Sequence, residues 1–318
     1  MTTGPLRIIF MGTPDFATAI LRSLIDGPDK VVAVVTQPDK AKGRGKKVTP
    51  PPVKVFAETL DLPVLQPVKI KTEEFRNGLL SYHPDLIVVA AYGRILPQSL
   101  LDLAPFGCIN VHGSLLPGYR GAAPIQWALI KGEKEVGVTI IQMDAGMDTG
   151  DVLLKARIQA APDETAGSLF EKLAVLGGET LLKAIKGLKE GSIIPVPQDH
   201  YHATLAPMLK KDDGLIDWNK DAGEIDCLIR GSDPWPSAYC FLDGTRLRLF
   251  RPEVVGRPSD ALPGTVLRAD RQGILIACGR NALLIREIQP EGKKRMPVEA
   301  FLCGYPLAVG TTFCQSSN

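Results

Sequence analysis

The sequence lacks several features that would each define a class of protein. Its six cysteines contain no C-x-x-C pair and no spacing typical of zinc ligands, which argues against a disulfide framework or a metal motif. Its apolar runs are short: LIVVAA at residues 86–91 is far below the roughly 20 residues that a membrane-spanning helix requires. We therefore expect reduced thiols, no metal and no membrane association.

A strong net charge is also missing. The formal charge is +2, which argues neither for nor against a nucleic-acid partner, because electrostatic steering depends on how charges cluster. With 45% hydrophobic and 23% charged residues, the composition is typical of a soluble globular protein, and 318 residues leave room for two domains. No signal peptide and no Arg-rich transit segment precedes Leu6, so we expect a cytoplasmic protein, of the bacterial cytosol.

Short apolar runs alternate with helical patterns in the first part of the chain. Most runs lack period-two alternation, which is typical of strands covered on both faces. Asp15 and Thr72 are expected helix N-caps, and a third helical pattern ends at Gly132. The alternation predicts an α/β fold with a Rossmann-like, largely parallel sheet and helices on both faces. The expected strands are LRIIFM (6–11), VVAVVT (31–36), DLIVVAA (85–91), GCINV (107–111) and VGVTIIQM (136–143).

The rest of the chain has a different pattern. A long helical pattern covers residues 163–191, and prolines 195, 197 and 207 then argue against a regular element. Strand-like runs with turn signals follow, including the Asp243-Gly244 turn, and they predict a small C-terminal β-barrel domain that is OB-like. We expect three segments: a catalytic domain at 1–190, a linker at 191–208 and a β-barrel domain at 209–318.

Three polar residues form the chemical pattern of the first domain. Asn110 and His112 are two residues apart near the end of an expected strand, so their side chains point to the same side. The acidic loop at residues 144–151 supplies Asp148, which would orient the imidazole and stabilise its protonated form. An amide, an imidazole and a carboxylate together suit a reaction that develops an oxyanion on a carbonyl carbon, with a substrate as nucleophile.

Simpler interpretations of the same residues stay open. A histidine after a strand is more often structural than catalytic, and an acidic residue among glycines is commonly a turn former. The stretch GSLLP does not match the G-x-S-x-G elbow, which argues against Ser114 as a hydrolase nucleophile. No ligand spacing supports a metal site built from His112, Asp148 and His83.

Positive charge is concentrated in DKAKGRGKKVTPPPVK, residues 39–54. The segment does not match the phosphate-binding G-x-x-x-x-G-K-[ST] loop. It is either a solvated surface loop or a finger onto a nucleic-acid backbone, whose phosphate contacts would make binding salt-dependent. Its basic residues are Lys40, Lys42, Arg44, Lys46, Lys47 and Lys54.

The chain resembles the methionyl-tRNA formyltransferase family over nearly its whole length. The Asn-x-His pair with a later acidic loop is shared with other folate-dependent formyltransferases, and the basic segment with the C-terminal barrel narrows the resemblance to the tRNA enzymes. The matching motifs, in order, are FMGTPDFA (10–17), QPDKAKGRGKKVTPPPVK (37–54), AAYGRILP (90–97), NVHGSLLPGYRGAAPIQWALI (110–130), TIIQMDAGMDTGDVL (139–153), KKDDGLIDW (210–218) and PWPSAY (234–239).

The resemblance implies a monomeric transferase of translation initiation that needs no metal. It would move the formyl group of 10-formyltetrahydrofolate, its co-substrate, to the α-amino group of initiator methionyl-tRNA. The implied catalytic residues are Asn110, His112 and Asp148. The implied folate contacts are Arg94, Ile95, Leu96, Ser114, Leu115, Leu116 and Pro117. The implied tRNA contacts are Lys42, Arg44, Lys46, Lys47 and Lys210, with the barrel holding the acceptor arm.

The sequence departs from the family pattern at three places. Gly118 stands where relatives often carry a basic residue, Ala41-Lys42 replaces a common Pro-Ala, and Ser232-Asp233 is more acidic than expected. Three alternatives remain. The chain could be a formyltransferase for a nucleotide or sugar amine, a formyltetrahydrofolate hydrolase in which water replaces the amine, or a tRNA-binding module with a disused pocket.

Overall fold

The computed structural model describes residues 4–42, 47–256 and 260–316. The chain folds as two compact units. Unit 1 comprises Met1–Pro124, Glu135–Ile158 and Phe170–Pro207, and unit 2 comprises Ile125–Lys134, Gln159–Leu169 and Met208–Asn318. Among the described residues, no helix combines the length and apolar character needed to span a bilayer.

A seven-stranded sheet forms the centre of unit 1. The strands of the first part of the chain are β1 (Arg7–Gly12), β2 (Lys30–Val35), β3 (Lys40–Lys42), β4 (Lys47–Thr49), β5 (Val64–Leu65), β6 (Leu86–Ala90), β7 (Cys108–His112), β8 (Glu135–Gln142) and β9 (Val152–Gln159). The sheet order is β5-β2-β1-β6-β7-β8-β9. Pairing is parallel from β5 to β7 and antiparallel between β7 and β8, so the expected Rossmann-like, largely parallel sheet is confirmed.

Helices cover both faces of this sheet. Ile87 packs on one face with Leu79 and Leu100, which belong to two of the helices. On the opposite face, Val111 lies so close to Gly177 that an added Cβ at Gly177 would be 3.0 Å from the valine Cγ1. The first six helices are α1 (Asp15–Ile25), α2 (Pro52–Glu58), α3 (Glu73–Leu80), α4 (Gln98–Leu101), α5 (Pro124–Ile130) and α6 (Ala166–Glu190).

The two expected N-caps have different outcomes. The Thr72 hydroxyl accepts the Phe75 backbone N–H at 3.3 Å, as an N-cap does. The expectation for Asp15 was wrong, because Asp15 is already part of the helix and the residue before it is the cap. Pro14 is the N-cap: its backbone is extended, and its carbonyl already accepts the N–H of Ala17. Asp15 is the first helical residue, where a negative charge is favourable near the helix N-terminus.

The cysteines are unpaired, as expected. Cys108 is the first residue of β7 and is buried in the core beneath α4. Burial, with a smaller contribution from the Asp102 charge, raises the pKa of its thiol to about 12. The Cys108 thiol is therefore protonated at neutral pH and packs as a small apolar group.

Residues 191–207 follow α6 and lie along unit 1. No long regular element forms there, as the prolines predict, and the segment contains a 3-10 turn at His200–His202. Backbone bridges nevertheless attach it to the body of the unit, with Val196 beside Val152 and Leu205 beside Arg120.

Unit 2 is built on an antiparallel sheet with strand order β10-β11-β14-β13-β12, and β15 pairs with β14. Asp243 and Gly244 form the expected two-residue turn between β10 and β11, with φ values of 46° and 74°. The elements are β10 (Tyr239–Leu242), β11 (Thr245–Val255), β12 (Val266–Asp270), β13 (Gly273–Ala277), β14 (Ala282–Pro290) and β15 (Met296–Pro297), with a 3-10 helix at Lys211–Gly214 and helices α7 (Ala222–Gly231) and α8 (Val298–Gly304).

The last described residues close this sheet into the expected barrel. Cys314 exchanges two backbone hydrogen bonds, of 2.8 and 2.9 Å, with Phe241 of the edge strand β10. Three residues before Cys314, the Thr311 carbonyl accepts the N–H of Val266 at 2.8 Å, and Val266 belongs to the other edge strand, β12. One short segment therefore hydrogen-bonds to both edge strands. The Phe313 ring stacks on Trp218 inside the barrel, with ring centroids 6.1 Å apart.

Candidate active site

Strand β7 positions the amide and the imidazole at its carboxyl end. Asn110 and His112 alternate with Val111 along the strand, so their side chains point to the same face of the sheet, as their spacing predicts. They pair with Ile141 and Thr139 of β8, and they are only 8% and 5% exposed. Polar side chains that are this well buried require hydrogen-bonding partners.

Asp148 supplies a shared partner from the loop between β8 and β9. One of its carboxylate oxygens lies 3.5 Å from His112 Nδ1 and 3.4 Å from Asn110 Nδ2. The other oxygen accepts the backbone N–H of Gly121 at 2.9 Å. The residue has a φ of +55°, in the left-handed region that non-glycine residues rarely adopt. The structure thus brings Asn110, His112 and Asp148 together around one carboxylate.

Both nitrogens of the His112 ring face acceptor oxygens. Nδ1 faces the Asp148 carboxylate, and Nε2 lies 2.9 Å from the backbone carbonyl of Tyr119. A neutral imidazole has one N–H, whereas an imidazolium has two, so only the protonated ring donates to both neighbours. An acceptor oxygen at each ring nitrogen therefore fixes the orientation of the His112 imidazole.

The segment after His112 is held by internal hydrogen bonds. The Ser114 hydroxyl donates to the Gly118 carbonyl at 2.6 Å, and its own carbonyl accepts the Thr139 hydroxyl at 2.7 Å. The Leu116 N–H donates to the same Thr139 oxygen at 3.1 Å, and the Lys155 ammonium donates to the Leu116 carbonyl. Burial, and then the Arg157 charge, lowers the pKa of Lys155. Leu116 is buried, and Leu115 and Pro117 are half-buried beside it.

Residues 94–96 present different groups to the surface. Arg94 donates to the carbonyls of Pro67 and Val68 at 3.2 and 3.0 Å, while the Ile95 side chain is 66% exposed. The Leu96 side chain is buried in the core, which leaves only its backbone available to a ligand. In this stretch, therefore, the apolar side chain at the surface is that of Ile95.

Sequence reasoning missed four residues that support the trio: Tyr119, Arg120, Gln198 and Thr204. Gln198 is buried and donates to the carbonyls of Asp148 and Gly150 at 2.8 and 2.7 Å. Arg120 is buried and donates to the Gln198 amide oxygen. The Thr204 hydroxyl accepts the Tyr119 N–H at 2.9 Å. The prolines around Gln198 predicted a linker, so nothing in the pattern marked the segment as part of a site.

The structure describes the expected tRNA contacts in part. Lys42 and Lys47 are paired in the antiparallel hairpin of β3 and β4, whereas Arg44 and Lys46 lie outside the described residues. Lys210 is exposed in unit 2, directly before the 3-10 helix Lys211–Gly214.

The basic segment has a charge pair at Lys54. Lys54 donates to Asp39 at 3.0 Å and to Gln66 at 2.8 Å. The hydrogen bond from Gln66, and then the one from Lys54, lowers the pKa of Asp39. The Asp39 carboxylate therefore stays charged and compensates the lysine. Within the described ranges, no three His, Cys, Asp or Glu side chains are grouped as a metal site would require.

Two family models match the chain. The model described as formyl transferase matches residues 6–185, and the model of the formyl transferase C-terminal domain matches residues 208–306. The Rossmann-like sheet with the Asn, His and Asp cluster lies within the first match, and the six strands of the barrel lie within the second. Fold and site together define a formyl transferase.

Relatives extend the match to nearly full length. The methionyl-tRNA formyltransferase of Desulfotalea psychrophila is 68% identical over 306 residues, which cover 96% of this chain and 95% of that protein. The enzyme of the same name from Geobacter sulfurreducens is 52% identical over 313 residues, covering 98% of both chains. The chain belongs to the methionyl-tRNA formyltransferase family.

A solved structure shares the fold at low sequence identity. HypX from Aquifex aeolicus, in complex with tetrahydrofolic acid, matches with a TM-score of 0.63 and 19% identity. The match covers 96% of this chain and 48% of HypX, so the chain spans about half the length of that protein.

Proposed function

We propose that the chain transfers the formyl group of 10-formyltetrahydrofolate to the α-amino group of initiator methionyl-tRNA, giving N-formylmethionyl-tRNA for translation initiation. Family membership over both units supports the reaction. The observation that carries its chemistry is the convergence of Asn110, His112 and Asp148, two hydrogen-bond donors and a carboxylate, at the end of one buried strand.

The attacking group comes from the tRNA substrate. A free α-amine has a pKa of about 7.7 to 8.0, so a minority of it is neutral and nucleophilic at neutral pH without a strong base. A C–N bond forms between the amine and the formyl carbon, and the carbonyl oxygen becomes an oxyanion. Collapse then breaks the C–N bond to the folate, and the proton that the amine loses balances the one that the folate nitrogen gains.

Asn110 and His112 hold the oxyanion. The Asn110 amide has two N–H groups, and only one of them faces Asp148, which leaves the other for the oxyanion. His112 keeps Asp148 at Nδ1 and exchanges the Tyr119 carbonyl at Nε2 for the oxyanion. Asp148 orients the ring and balances its charge, so the donors are in position before negative charge develops on the substrate.

The remaining contacts follow from the family pattern. Residues 94–96 and 114–117 would hold the folate, while Lys42, Arg44, Lys46, Lys47 and Lys210 would contact the tRNA backbone. We assign catalysis to residues 1–190, a connection to 191–208 and tRNA binding by the barrel to 209–318. The enzyme acts as a monomer in the cytosol, where both of its substrates would be present.

One assay tests the reaction against its alternatives. The chain is incubated with 10-formyltetrahydrofolate, labelled in the formyl group, and with methionyl-tRNA charged on initiator tRNA. We expect the label in formylmethionyl-tRNA. Label in free formate would identify a hydrolase, and transfer only to added nucleotide or sugar amines would identify a different acceptor. If all of the label stays in the folate while the chain still binds tRNA, the chain is a tRNA-binding module without transferase activity.

A further inference from the structure

Gln198 uses its whole side chain to hold the Asp148 loop. The residue is only 6% exposed. Its amide nitrogen donates to the carbonyls of Asp148 and Gly150, at 2.8 and 2.7 Å, and these two carbonyls flank the short turn that ends the loop. Its amide oxygen accepts from Arg120, so no donor or acceptor of the side chain is left for solvent.

Arg120 determines which way this amide faces. Its guanidinium is buried, and Nε and Nη2 donate to the Gln198 oxygen at 3.2 and 2.7 Å. Nη2 also lies 3.0 Å from His200 Nδ1. If the amide of Gln198 were reversed, its NH2 group would face the guanidinium and its oxygen would face two carbonyls. The arginine therefore fixes the amide nitrogen on the Asp148 loop.

The loop that Gln198 holds needs external support. Asp148 has a left-handed backbone, a conformation that persists in a non-glycine residue only when its surroundings determine it. Gln198 binds its carbonyl, and the N–H of Gly121, the residue after Arg120, binds its carboxylate. Gly150 is packed so tightly that an added Cβ would lie 1.8 Å from the Gln142 carbonyl, so the loop cannot shift toward β8.

We propose that Gln198, oriented by Arg120, is a positioning residue for formyl transfer. It contacts no reacting atom. It fixes the backbone of Asp148 so that the carboxylate reaches His112 and Asn110 together. Residues 196–206, expected as part of a linker, then belong to the machinery of the active site. This inference rests on the proposed function, because the step that it controls is the transfer to methionyl-tRNA.

Two substitutions separate positioning from folding. Gln198→Leu has a similar size and removes every hydrogen bond of the amide. Gln198→Glu keeps an acceptor, now charged, for Arg120, but it loses both N–H donors to the loop. The buried guanidinium keeps a partner in Gln198→Glu, so we expect this variant to fold. A matched control is Gln289→Leu in unit 2, which removes the hydrogen bonds of a partly exposed glutamine amide to the Lys293 carbonyl and to Arg248.

The measurement is steady-state formyl transfer from 10-formyltetrahydrofolate to methionyl-tRNA across pH, with Tm for each variant. For both Gln198 variants we expect kcat to fall by about 10²-fold, because small displacements of a catalytic group carry penalties of that order, with KM for both substrates changed less than about threefold. We also expect the pH profile of kcat to move, because Asp148 no longer meets His112 in a fixed geometry. Gln289→Leu should match the unmutated chain in kcat and in pH profile.

The transfer reaction and the positioning role of Gln198 are tested separately. If the unmutated chain transfers no formyl group to methionyl-tRNA, the proposed function fails. If it does so and folded Gln198→Glu matches it in kcat, the two N–H donors have no positioning role. A loss of activity that only follows the loss of folded protein, with an unmoved pH profile, would also overturn the proposal.

Discussion

The active site of unit 1 and the barrel surface of unit 2 place their polar groups differently. In unit 1, Asn110, His112, Arg120 and Gln198 are all buried, and each is bonded to another part of the chain. In unit 2, the arginines and glutamates of the barrel form pairs at or near the surface. These pairs are Arg246 with Glu291, Arg251 with Glu287, Arg286 with Glu253, and Arg295 with Glu287.

The difference predicts how each unit responds to substitution. Removing one member of a buried network leaves its partners without hydrogen bonds in a medium of low dielectric constant, which carries a large penalty. An exposed ion pair is screened by water and salt and contributes roughly 0 to 1 kcal/mol. Substitutions of buried polar residues in unit 1 should therefore act on kcat. Substitutions on the surface of unit 2 should act on tRNA affinity or hardly at all.

The largest effect should come from the trio itself. Asn110→Ala or His112→Ala should lower the single-turnover rate of formyl transfer by about 10² to 10³-fold, because each would remove one of the two donors proposed for the oxyanion. Asp148→Asn should also be severe, because it removes the charge that faces His112. Asn77→Ala, at an exposed position of α3, is the control and should keep full activity. Near-normal turnover of Asp148→Asn would remove Asp148 from the mechanism.

A core substitution in the barrel should separate stability from chemistry. Leu249 is fully buried, and Leu249→Ala should lower the free energy of unfolding by at least about 2 kcal/mol in urea titrations. With the barrel still folded at saturating substrates, kcat should stay unchanged. Leu262→Ala, at a residue that is 79% exposed, should leave stability unaltered. A fall in kcat of the folded Leu249→Ala variant would show that barrel packing affects the chemistry directly.

Removing single positive charges should have a smaller and more selective effect. Arg44→Ala and Lys210→Ala should each raise KM for tRNA and reduce its logarithmic dependence on salt by about one unit, since each would remove one of the proposed phosphate contacts. KM for the folate should not change. Arg44→Lys and Lys210→Arg keep the charge and should keep the salt dependence. Unchanged tRNA kinetics for Arg44→Ala would mean that the basic segment is only solvated surface.

The smallest effect should come from an exposed pair of the barrel. Glu253 and Arg286 are 53% and 41% exposed, and the Arg286 Nε lies 3.2 Å from the carboxylate. A double-mutant cycle with Glu253→Ala and Arg286→Ala should give a coupling energy below about 1 kcal/mol. A coupling energy above about 2 kcal/mol would show that exposed ion pairs of the barrel contribute as much as buried polar groups do.

The sequence predicted those features that depend on a repeat of a few residues, such as the alternation of side chains along a strand. Apolar runs without alternation predicted the buried strands, and the spacing of Asn110 and His112 predicted that they share a face, because side chains alternate along a strand. The Asp243-Gly244 turn was predicted for a similar local reason, since both residues tolerate a left-handed backbone. The error at Asp15 is a shift of one residue. Acidic residues are favoured both at the N-cap and in the first turn of a helix, so an aspartate does not by itself distinguish the two positions.

The support of the site could not be predicted from these local rules. Gln198 is 50 residues from Asp148, and it lies in a segment without periodicity, so nothing in the sequence indicates which surface it faces. The left-handed backbone of Asp148 is equally hidden, because aspartate tolerates this conformation but the contacts that hold it here come from Gln198 and Gly121, which are distant in the sequence. The proline pattern correctly predicted irregular structure at 191–208, but irregular backbone can still be firmly anchored.

The closure of the barrel by residues 311–314 makes one short segment a shared outer partner of both edge strands. A proteolytic cut before Thr311 would remove the outer partners of Phe241 in β10 and of the Val266 N–H in β12 at once, although both strands would stay paired with β11 and β13. Two open ladders on the same molecule would invite pairing between copies in both directions. For this chain, trimming a few residues near the carboxyl end is thus a route to self-association.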